Sequence, residues 1–194
     1  MHIVAILGSR NPKGRTAQAT NALLQGASQA GSTTETILLT ERNIKRCRQC
    51  EDTGWGICRT EGRCVIEDDF AAVVEKIKGA DAVVFATPVY FSDLSESMRA
   101  FLDRLRRTCM HERGRHGIAD KPAVGICVAG GGGGGAPSCA ASLEKVVARC
   151  GFDIVDVIPV RRQNLEMKKE ILRIIGRWLT TGMETFAANE TETV

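Results

Sequence analysis

The sequence predicts a doubly wound α/β fold built on a five-stranded parallel sheet. Short apolar runs rich in β-branched residues alternate with longer segments whose apolar residues recur at helical spacing. The apolar runs show no polar alternation, which is typical of strands covered on both faces. The 194 residues suffice for one domain with a sizeable core. Five strands alternating with five helices favour the strand order 2-1-3-4-5.

Each element is assigned from its own pattern. The predicted strands lie at 2–7, 34–40, 81–88, 122–130 and 152–160. The predicted helices lie at 15–30, 68–80, 95–107, 138–150 and 166–187. Asp68 is the expected N-cap of the second helix, and Gly79 lies near its end. We therefore expect one domain over 1–187, with a cysteine-rich insertion at 46–65 and a flexible, polar tail at 188–194.

Composition excludes several classes of partner. The net charge of +3 is small and its basic residues are interleaved with acidic ones, so we expect no nucleic-acid partner. No apolar run approaches the length of about 20 residues that spans a bilayer, so we expect no membrane partner. The opening MHIVAIL enters a strand without the charged region of a signal peptide, which predicts a cytoplasmic protein.

The predicted topology places a ligand crevice at the carboxyl ends of strands one and three. The loops to consider follow Leu7, Thr87 and Ala129, and we call them loop 1, loop 2 and loop 3.

Loop 1, GSRNPKGRT, combines features that attract an anion. The unpaired amides and the dipole of the following helix favour negative charge, and Ser9, Thr16 and arginine add donors. Five residues separate Gly8 from Gly14, so the loop matches neither a Walker A motif nor the dinucleotide fingerprint. A phosphate monoester is the favoured ligand, and an ordinary basic loop is the alternative.

Loops 2 and 3 suit a flat ring. In TPVYFSDLSESM, Pro88 turns the chain out of the sheet and the following aromatic residues offer an apolar surface, although they could equally be local core. The glycine run at 130–135 lets backbone approach a planar ligand closely, unless it is a flexible linker. A phosphate at loop 1 and a ring between loops 2 and 3 together describe FMN.

The three loops, in this order, resemble those of the flavodoxin-like NAD(P)H-dependent FMN reductase family, and most closely its iron–sulfur flavoprotein branch. The resemblance covers about residues 1 to 160 and implies a flavodoxin-like three-layer sandwich. It implies an FMN phosphate site and a ring site in the three loops. The implied phosphate-site residues are Ser9, Arg10, Lys13, Gly14, Arg15, Thr16 and Ala17. The implied ring-site residues are Pro88, Val89, Tyr90, Phe91, Gly130, Gly131, Gly132 and Gly133.

The resemblance also implies a reaction. NAD(P)H would deliver a hydride to flavin N5, and electrons would pass to a small-molecule acceptor such as a quinone or flavin. No catalytic side chain is needed, and the protein is expected to be a homodimer or homotetramer. One alternative is an electron-transfer protein with a ferredoxin-like donor. Another is a flavin- or metal-binding module that senses thiol oxidation.

Four clustered cysteines form the pattern C-x2-C-x7-C-x5-C. Four thiolates at short spacing suit zinc or an iron–sulfur cluster. Iron–sulfur flavoproteins carry a compact C-x2-C-x2-C-x5-C motif here, whereas this chain has a stretch five residues longer that contains Trp55. A [4Fe–4S] cluster, free or partly oxidised thiols and zinc therefore remain alternatives, and the other four cysteines are expected to be buried thiols. The candidate ligands are Cys47, Cys50, Cys58 and Cys64.

Overall fold

A computed structural model of the chain describes residues 1–191, with side chains described through residue 182. The described part forms a parallel sheet flanked by helices, which confirms the predicted doubly wound fold. Among its helices none has the length and apolar character needed to cross a bilayer.

The sheet has the predicted strand order. Five parallel strands lie in the order β2-β1-β3-β5-β6, which is 2-1-3-4-5 when only parallel strands are counted. The short strand β4 pairs antiparallel with the end of β3 and was not predicted. The strands are β1 His2–Leu7, β2 Thr33–Leu38, β3 Ala82–Tyr90, β4 Asp93–Leu94, β5 Pro122–Ala129 and β6 Asp153–Arg161.

All five predicted helices are present, together with two one-turn helices, α2 and α5, that the pattern did not indicate. The last helix extends through residues 188–191 of the predicted flexible tail, and residues 192–194 lie outside the described part. The helices are α1 Arg15–Gln29, α2 Ile57–Thr60, α3 Phe70–Lys78, α4 Glu96–Thr108, α5 Glu112–Arg115, α6 Ala136–Cys150 and α7 Leu165–Thr191.

The sheet separates two apolar cores. Along β1, Val4 and Ile6 face the core beneath α3, α4 and α6, whereas Ile3 and Leu7 face the core beneath α1 and α7. Both sets are buried because each face of the sheet is covered, which explains why the strand sequences are apolar at successive positions.

Helix α7 lies directly against α1. A Cβ atom added to Gly176 would come within 2.0 Å of the Leu23 carbonyl oxygen, and one added to Gly26 within 2.1 Å of the Arg173 carbonyl oxygen. The two helix backbones therefore touch at these glycines, and this contact fixes which face of α7 is turned inward.

A buried ion pair attaches the cysteine-rich segment to α4. Asp68 and Arg104 are almost fully buried, and the guanidinium binds both carboxylate oxygens, at 2.7 and 2.9 Å. Arg104 also donates to the carbonyls of Lys45 and Ile66 and lies 4.2 Å from the centre of the Phe70 ring. The guanidinium thus holds both ends of the segment that contains the four clustered cysteines.

The ion pair corrects the prediction for the start of α3. The residue that precedes the helix is Asp69, not Asp68. The Asp68 carboxylate is bound by Arg104, although it still accepts a hydrogen bond from the Phe70 amide. Burial raises the pKa of Asp68, but the hydrogen bonds from Arg104 and from the Lys45 and Phe70 amides outweigh it, so the pKa lies below its ordinary value.

Replacing Asp68 with Asn should lower the free energy of unfolding by about 3 kcal/mol, because it leaves the buried Arg104 without its counter-charge. Since the native pKa of Asp68 is lowered, its contribution is complete above the ordinary carboxyl value and is lost as the pH falls through the native value. Urea unfolding between neutral and acidic pH measures both effects. A variant that matches the wild-type protein at neutral pH would contradict the role of the pair.

Candidate functional site

Loops 1, 2 and 3 come together in one cleft of about 500 Å³ at the carboxyl ends of β1, β3 and β5. This is the crevice that the strand order predicts, and its size falls in the range of small-molecule sites. The cleft contains residues from every one of the three loops. Its lining residues are Ser9, Arg15, Thr16, Pro88, Val89, Tyr90, Val128, Ala129 and Gly130 to Gly134.

The start of α1 presents amides to this cleft. The Gln18 amide donates to the Gly14 carbonyl, so the amides that precede Gln18 in the helix have no carbonyl within it to bind. Gly14 provides no side-chain cap, and the first turn carries no acidic residue. Thr16 is buried beside these amides, and the exposed Arg15 adds positive charge. The arrangement suits a phosphate group.

The structure places the other predicted phosphate-site residues of loop 1 in different surroundings near the start of α1. Ser9 is buried, and its hydroxyl contacts the backbone of Asn11 at 3.3 Å. Arg10 and Lys13 are exposed and lie outside the cleft lining, because the loop turns at Asn11, whose side chain accepts from the Lys13 amide. Ala17 is buried in the core beneath α1. The structure thus brings Ser9, Arg15 and Thr16 together, but not Arg10 or Lys13.

One serine links loops 1 and 2. The Ser95 hydroxyl donates to the Gly8 carbonyl at 2.9 Å, and the Ser95 amide donates to the Thr87 hydroxyl at 3.0 Å. The same hydroxyl accepts from the Met98 amide and so caps α4. Sequence reasoning placed Ser95 at the start of a helix but did not connect it to Gly8. A serine before an acidic first turn indicates a cap, but nothing in the sequence indicates a bond to a residue 87 positions away.

Loop 2 is a tight hairpin between β3 and β4. Phe91 and Ser92 at its tip both adopt positive φ values, 48° and 65°. Pro88, Val89 and Tyr90 line the cleft, whereas Phe91 is fully exposed and lies outside the lining. The left-handed backbone at Phe91 therefore separates this residue from Pro88, Val89 and Tyr90, with which it was predicted to form the ring site.

The glycines of loop 3 have two different roles. Gly133 and Gly135 have positive φ, and a Cβ atom would meet Gln163 Oε1 at 2.6 Å in the first case and the Ser92 backbone at 2.7 Å in the second. Around Gly130, Gly131 and Gly132 there is open space on the side where a Cβ atom would lie. The same is true of Gly134, and Gly131 also has a positive φ, of 35°. Backbone conformation and packing thus require glycine at positions 133 and 135, while the other four glycines have room beside them for a ligand.

A second groove adjoins the cleft and shares Arg15 with it. The groove has a volume of about 800 Å³ and lies between the start of α1 and the turn that precedes α7. Gln163 in that turn donates to the Gly132 carbonyl at 3.0 Å and so connects the turn to loop 3. Arg162 lines the same groove as Arg15 and is a second cation there. Sequence reasoning missed this turn because its polar residues carry no motif.

The four clustered cysteines line one small cavity of about 20 Å³. The longer stretch that contains Trp55 is held on α4 by Arg107, which donates to the Gly54 carbonyl at 2.7 Å and lies 4.6 Å from the Trp55 ring centre. This contact places Cys58 with the other three half-buried thiols. The longer loop therefore does not separate the cysteines. Within the described part, however, no group of three or more potential ligands has the arrangement of a metal site.

Two arginines lie beside these thiols. Arg48 Nε donates to Cys50 Sγ at 3.5 Å, and this hydrogen bond is the largest cause of a raised pKa at Arg48. Arg104 lines the same cavity, and its buried Nε has no hydrogen-bond partner among the described residues. The cavity therefore offers positive charge and a free donor to sulfur ligands. The other four cysteines are buried, as predicted.

Residues 1–162 match the family model described as NADPH-dependent FMN reductase. The chain belongs to this family. The matched range covers all three loops and extends to the turn at Arg162. It confirms membership of the family that the loops resemble.

Curated relatives lie in the iron–sulfur flavoprotein branch. The chain is 30% identical over 131 residues to an iron–sulfur flavoprotein of Methanocaldococcus jannaschii, which covers 68% of this chain and 65% of the relative. It is 30% identical over 122 residues to an iron–sulfur flavoprotein of Methanosarcina thermophila, with 61% of each chain covered. The chain thus spans somewhat less than two thirds of the length of these relatives.

Solved structures confirm the flavodoxin-like fold. An NAD(P)H:quinone oxidoreductase from Methanothermobacter marburgensis superposes with a TM-score of 0.69 at 24% identity, covering 92% of this chain and 96% of that one. An archaeal flavodoxin superposes with a TM-score of 0.62 at 11% identity, and the superposition covers 95% of this chain and 99% of the flavodoxin.

Alanine at Gly132 and at Gly133 should have different effects. Gly133→Ala should lower the free energy of unfolding by about 1–3 kcal/mol, because it strains a left-handed residue and meets the Gln163 and Arg161 side chains. Gly132→Ala should leave stability nearly unchanged and weaken FMN binding, because its methyl group would occupy the cleft. Thermal unfolding and FMN titration check the pair. Equal stability losses would contradict the division of roles.

Proposed function

We propose that the chain is an FMN-dependent oxidoreductase that takes a hydride from NAD(P)H and passes electrons to a second acceptor, such as a quinone or a flavin. The observation that carries the proposal is the single cleft formed by loops 1, 2 and 3. It has an anion site at one end and open glycine backbone at the other. Membership of the FMN reductase family supports the same ligand.

The residues of the cleft bind and orient the cofactor. The first-turn amides of α1, the Thr16 hydroxyl and Arg15 bind the phosphate. The chain from Pro88 to Tyr90 packs against one side of the ring, and the backbone from Gly130 to Gly132 lies along the other. The backbone amides near the ring are the groups that tune it, because they are fixed by the strands and by the bond from Gln163 to Gly132.

No acid–base side chain is required in this scheme. The described residues that line the cleft include no Asp, Glu, His or Lys. When bound, FMN supplies the hydride and electron chemistry, so the protein contributes position and electrostatics. The cleft is open to solvent beside the ring site, where NAD(P)H and the acceptor bind in turn. We further propose that the protein acts in the cytoplasm as a homodimer or homotetramer.

Replacing Arg15 with Ala should weaken FMN binding about tenfold, equivalent to about 1.4 kcal/mol, while riboflavin binding stays the same. The reason is that Arg15 lies in the first turn of α1, whose amides are proposed to bind the phosphate that riboflavin lacks. Quenching of flavin fluorescence measures both affinities, and NADPH oxidation with a quinone measures turnover. Arg149→Ala, an exposed arginine on the last turn of α6, is the matched control. Equal losses for FMN and riboflavin would contradict a phosphate role.

A second candidate is an iron–sulfur flavoprotein that receives electrons from a ferredoxin-like donor. It is supported by the convergence of four thiols on one cavity and by the buried Arg104 Nε that lacks a partner there. A [4Fe–4S] cluster would be held by Cys47, Cys50, Cys58 and Cys64, and its sulfur atoms would accept the Arg104 donor. A cluster transfers single electrons, which suits a protein donor.

Iron and acid-labile sulfide in anaerobically purified protein decide between the two candidates. If a cluster is present, Cys58→Ala should abolish the iron and sulfide while leaving FMN content unchanged, because the two sites have separate linings. The control is Cys150→Ala, which removes a buried thiol outside the cavity. Iron-free wild-type protein with full NADPH:quinone activity would reject the second candidate and retain the first.

A further inference from the structure

The groove beside the cleft is larger than the cleft itself, about 800 Å³ against about 500 Å³. It extends from residues 11–18, at the start of α1, to residues 162–167, at the start of α7, and we call it the α1–α7 groove. Its volume lies in the range of small-molecule sites. The cleft and the groove have only Arg15 in common, so the FMN proposed for the cleft does not account for the groove.

The α1–α7 groove has an excess of positive charge. Arg15 and Arg162 both line it, and neither side chain forms an ion pair within the described part of the chain. The lining contains one carboxylate, that of Glu166, which is bound by Lys169 at 2.8 Å. A guanidinium presents planar donors that match the oxygen atoms of a phosphate. Since Arg15 is assigned to the FMN phosphate, Arg162 is available for a second phosphate.

The turn that carries Arg162 is fixed in place. The Arg161 amide donates to the Asn164 side chain at 2.8 Å, and the Gln163 side chain donates to the Gly132 carbonyl at 3.0 Å. Leu165, the next residue, is buried in the core beneath α1 and α7. The groove is therefore formed before a ligand arrives, which reduces the free energy that binding spends on ordering the site.

The rest of the lining suits a nucleoside. Four side-chain amides each use one end in a hydrogen bond with the backbone, and the other end has no partner among the described residues. These amides belong to Asn11, Gln18, Gln163 and Asn164. Their free ends can bind ribose hydroxyls or the edge of a base. Met167, which is 53% exposed, adds a polarizable apolar surface for a ring.

We propose that the α1–α7 groove binds the phosphorylated adenosine half of a dinucleotide, with Arg162 at a phosphate. Two dinucleotides can supply this half beside a flavin site. NADPH would do so as the hydride donor, through its 2′-phosphate, and FAD would do so in place of FMN, through its second phosphate. The groove adjoins both ends of the cleft, because Gln163 connects it to Gly132 on the ring side and Arg15 connects it to the phosphate end. The inference rests on the proposed function for the flavin.

Isothermal titration calorimetry of the FMN-loaded protein, with adenosine 2′,5′-bisphosphate as the probe, tests the groove. Arg162→Ala should weaken binding of the probe about tenfold, because a charge-assisted contact is lost. Arg149→Ala is the matched control, since it removes the same charge from an exposed position on the last turn of α6 and should leave the affinity unchanged. Circular dichroism verifies that each variant is folded.

Glu166→Gln should change the affinity in the opposite direction. It removes the carboxylate from the lining and should strengthen binding of the probe severalfold, because the anionic probe no longer meets a negative charge. A variant that only disturbed the turn would weaken binding. The opposite signs of Arg162→Ala and Glu166→Gln therefore separate an electrostatic role from a structural one.

Arg162→Ala also identifies the source of the nucleotide. If the groove serves NADPH, the ratio of kcat/KM for NADPH to that for NADH should fall about tenfold in this variant. If it serves FAD, the wild-type protein should bind FAD at least tenfold more tightly than FMN, and the variant should lose that advantage. Either result supports an adenine-nucleotide site in the groove.

A wild-type protein that does not bind the probe, equal losses in Arg162→Ala and Arg149→Ala, or an Arg162→Ala variant in which neither ratio changes would each overturn the inference. Titrating the probe with and without FMN separates this failure from that of the proposed function. Binding of FMN without binding of the probe contradicts only the groove, and binding of the probe without binding of FMN contradicts only the flavin site.

Discussion

The Ser95 hydroxyl holds together the two strand ends between which the cleft opens. It donates to the Gly8 carbonyl in loop 1 and caps α4, while the Ser95 amide donates to the Thr87 hydroxyl in β3. Gly8 must be glycine here, because a Cβ atom would lie 2.6 Å from that hydroxyl. The Ser97 hydroxyl donates to the same Gly8 carbonyl at 3.0 Å, and the Gly8 amide donates to the Ala86 carbonyl at 2.8 Å. The position of the α1 amides relative to loop 2 therefore depends on this small group of hydrogen bonds around Gly8. Every ligand contact proposed for the cleft depends on that position.

The sequence predicted the parts of the fold that arise from local pattern and from topology. The strand order follows from alternating apolar segments and the rules for parallel sheets, and the position of the cleft follows from the strand order. The sequence did not predict the one-turn helix at Ile57–Thr60 or the hairpin strand β4, because elements this short show no periodicity. Asp68 was misassigned for a different reason. An acidic residue before a helix looks like a cap, and only the tertiary structure places Arg104 beside it.

The sequence predicted which loops form the candidate site, but not which residues of those loops line the cleft. Ser9, Arg15 and Thr16 meet in the cleft, whereas the turn at Asn11 exposes Arg10 and Lys13, and the positive φ of Phe91 separates it from Tyr90. The turn at Arg162 and Gln163 could not have been found from sequence, since it reaches loop 3 only through folding. The same applies to the cysteines. Their longer spacing argues against a shared site until Arg107 and Trp55 are seen to fold the loop back onto α4.

The chain thus places two features around one sheet: a phosphate-and-ring cleft and a thiol cavity on α4. The central claim is that the cleft binds FMN with its phosphate at the start of α1. Amide chemical shifts recorded by NMR as FMN is added test this most directly. The account predicts large shifts at Thr16, Ala17, Gly130 and Gly132, with small ones in the Cys47–Cys64 segment. Unchanged amides at Thr16 and Ala17, or shifts concentrated around the cysteines, would contradict it.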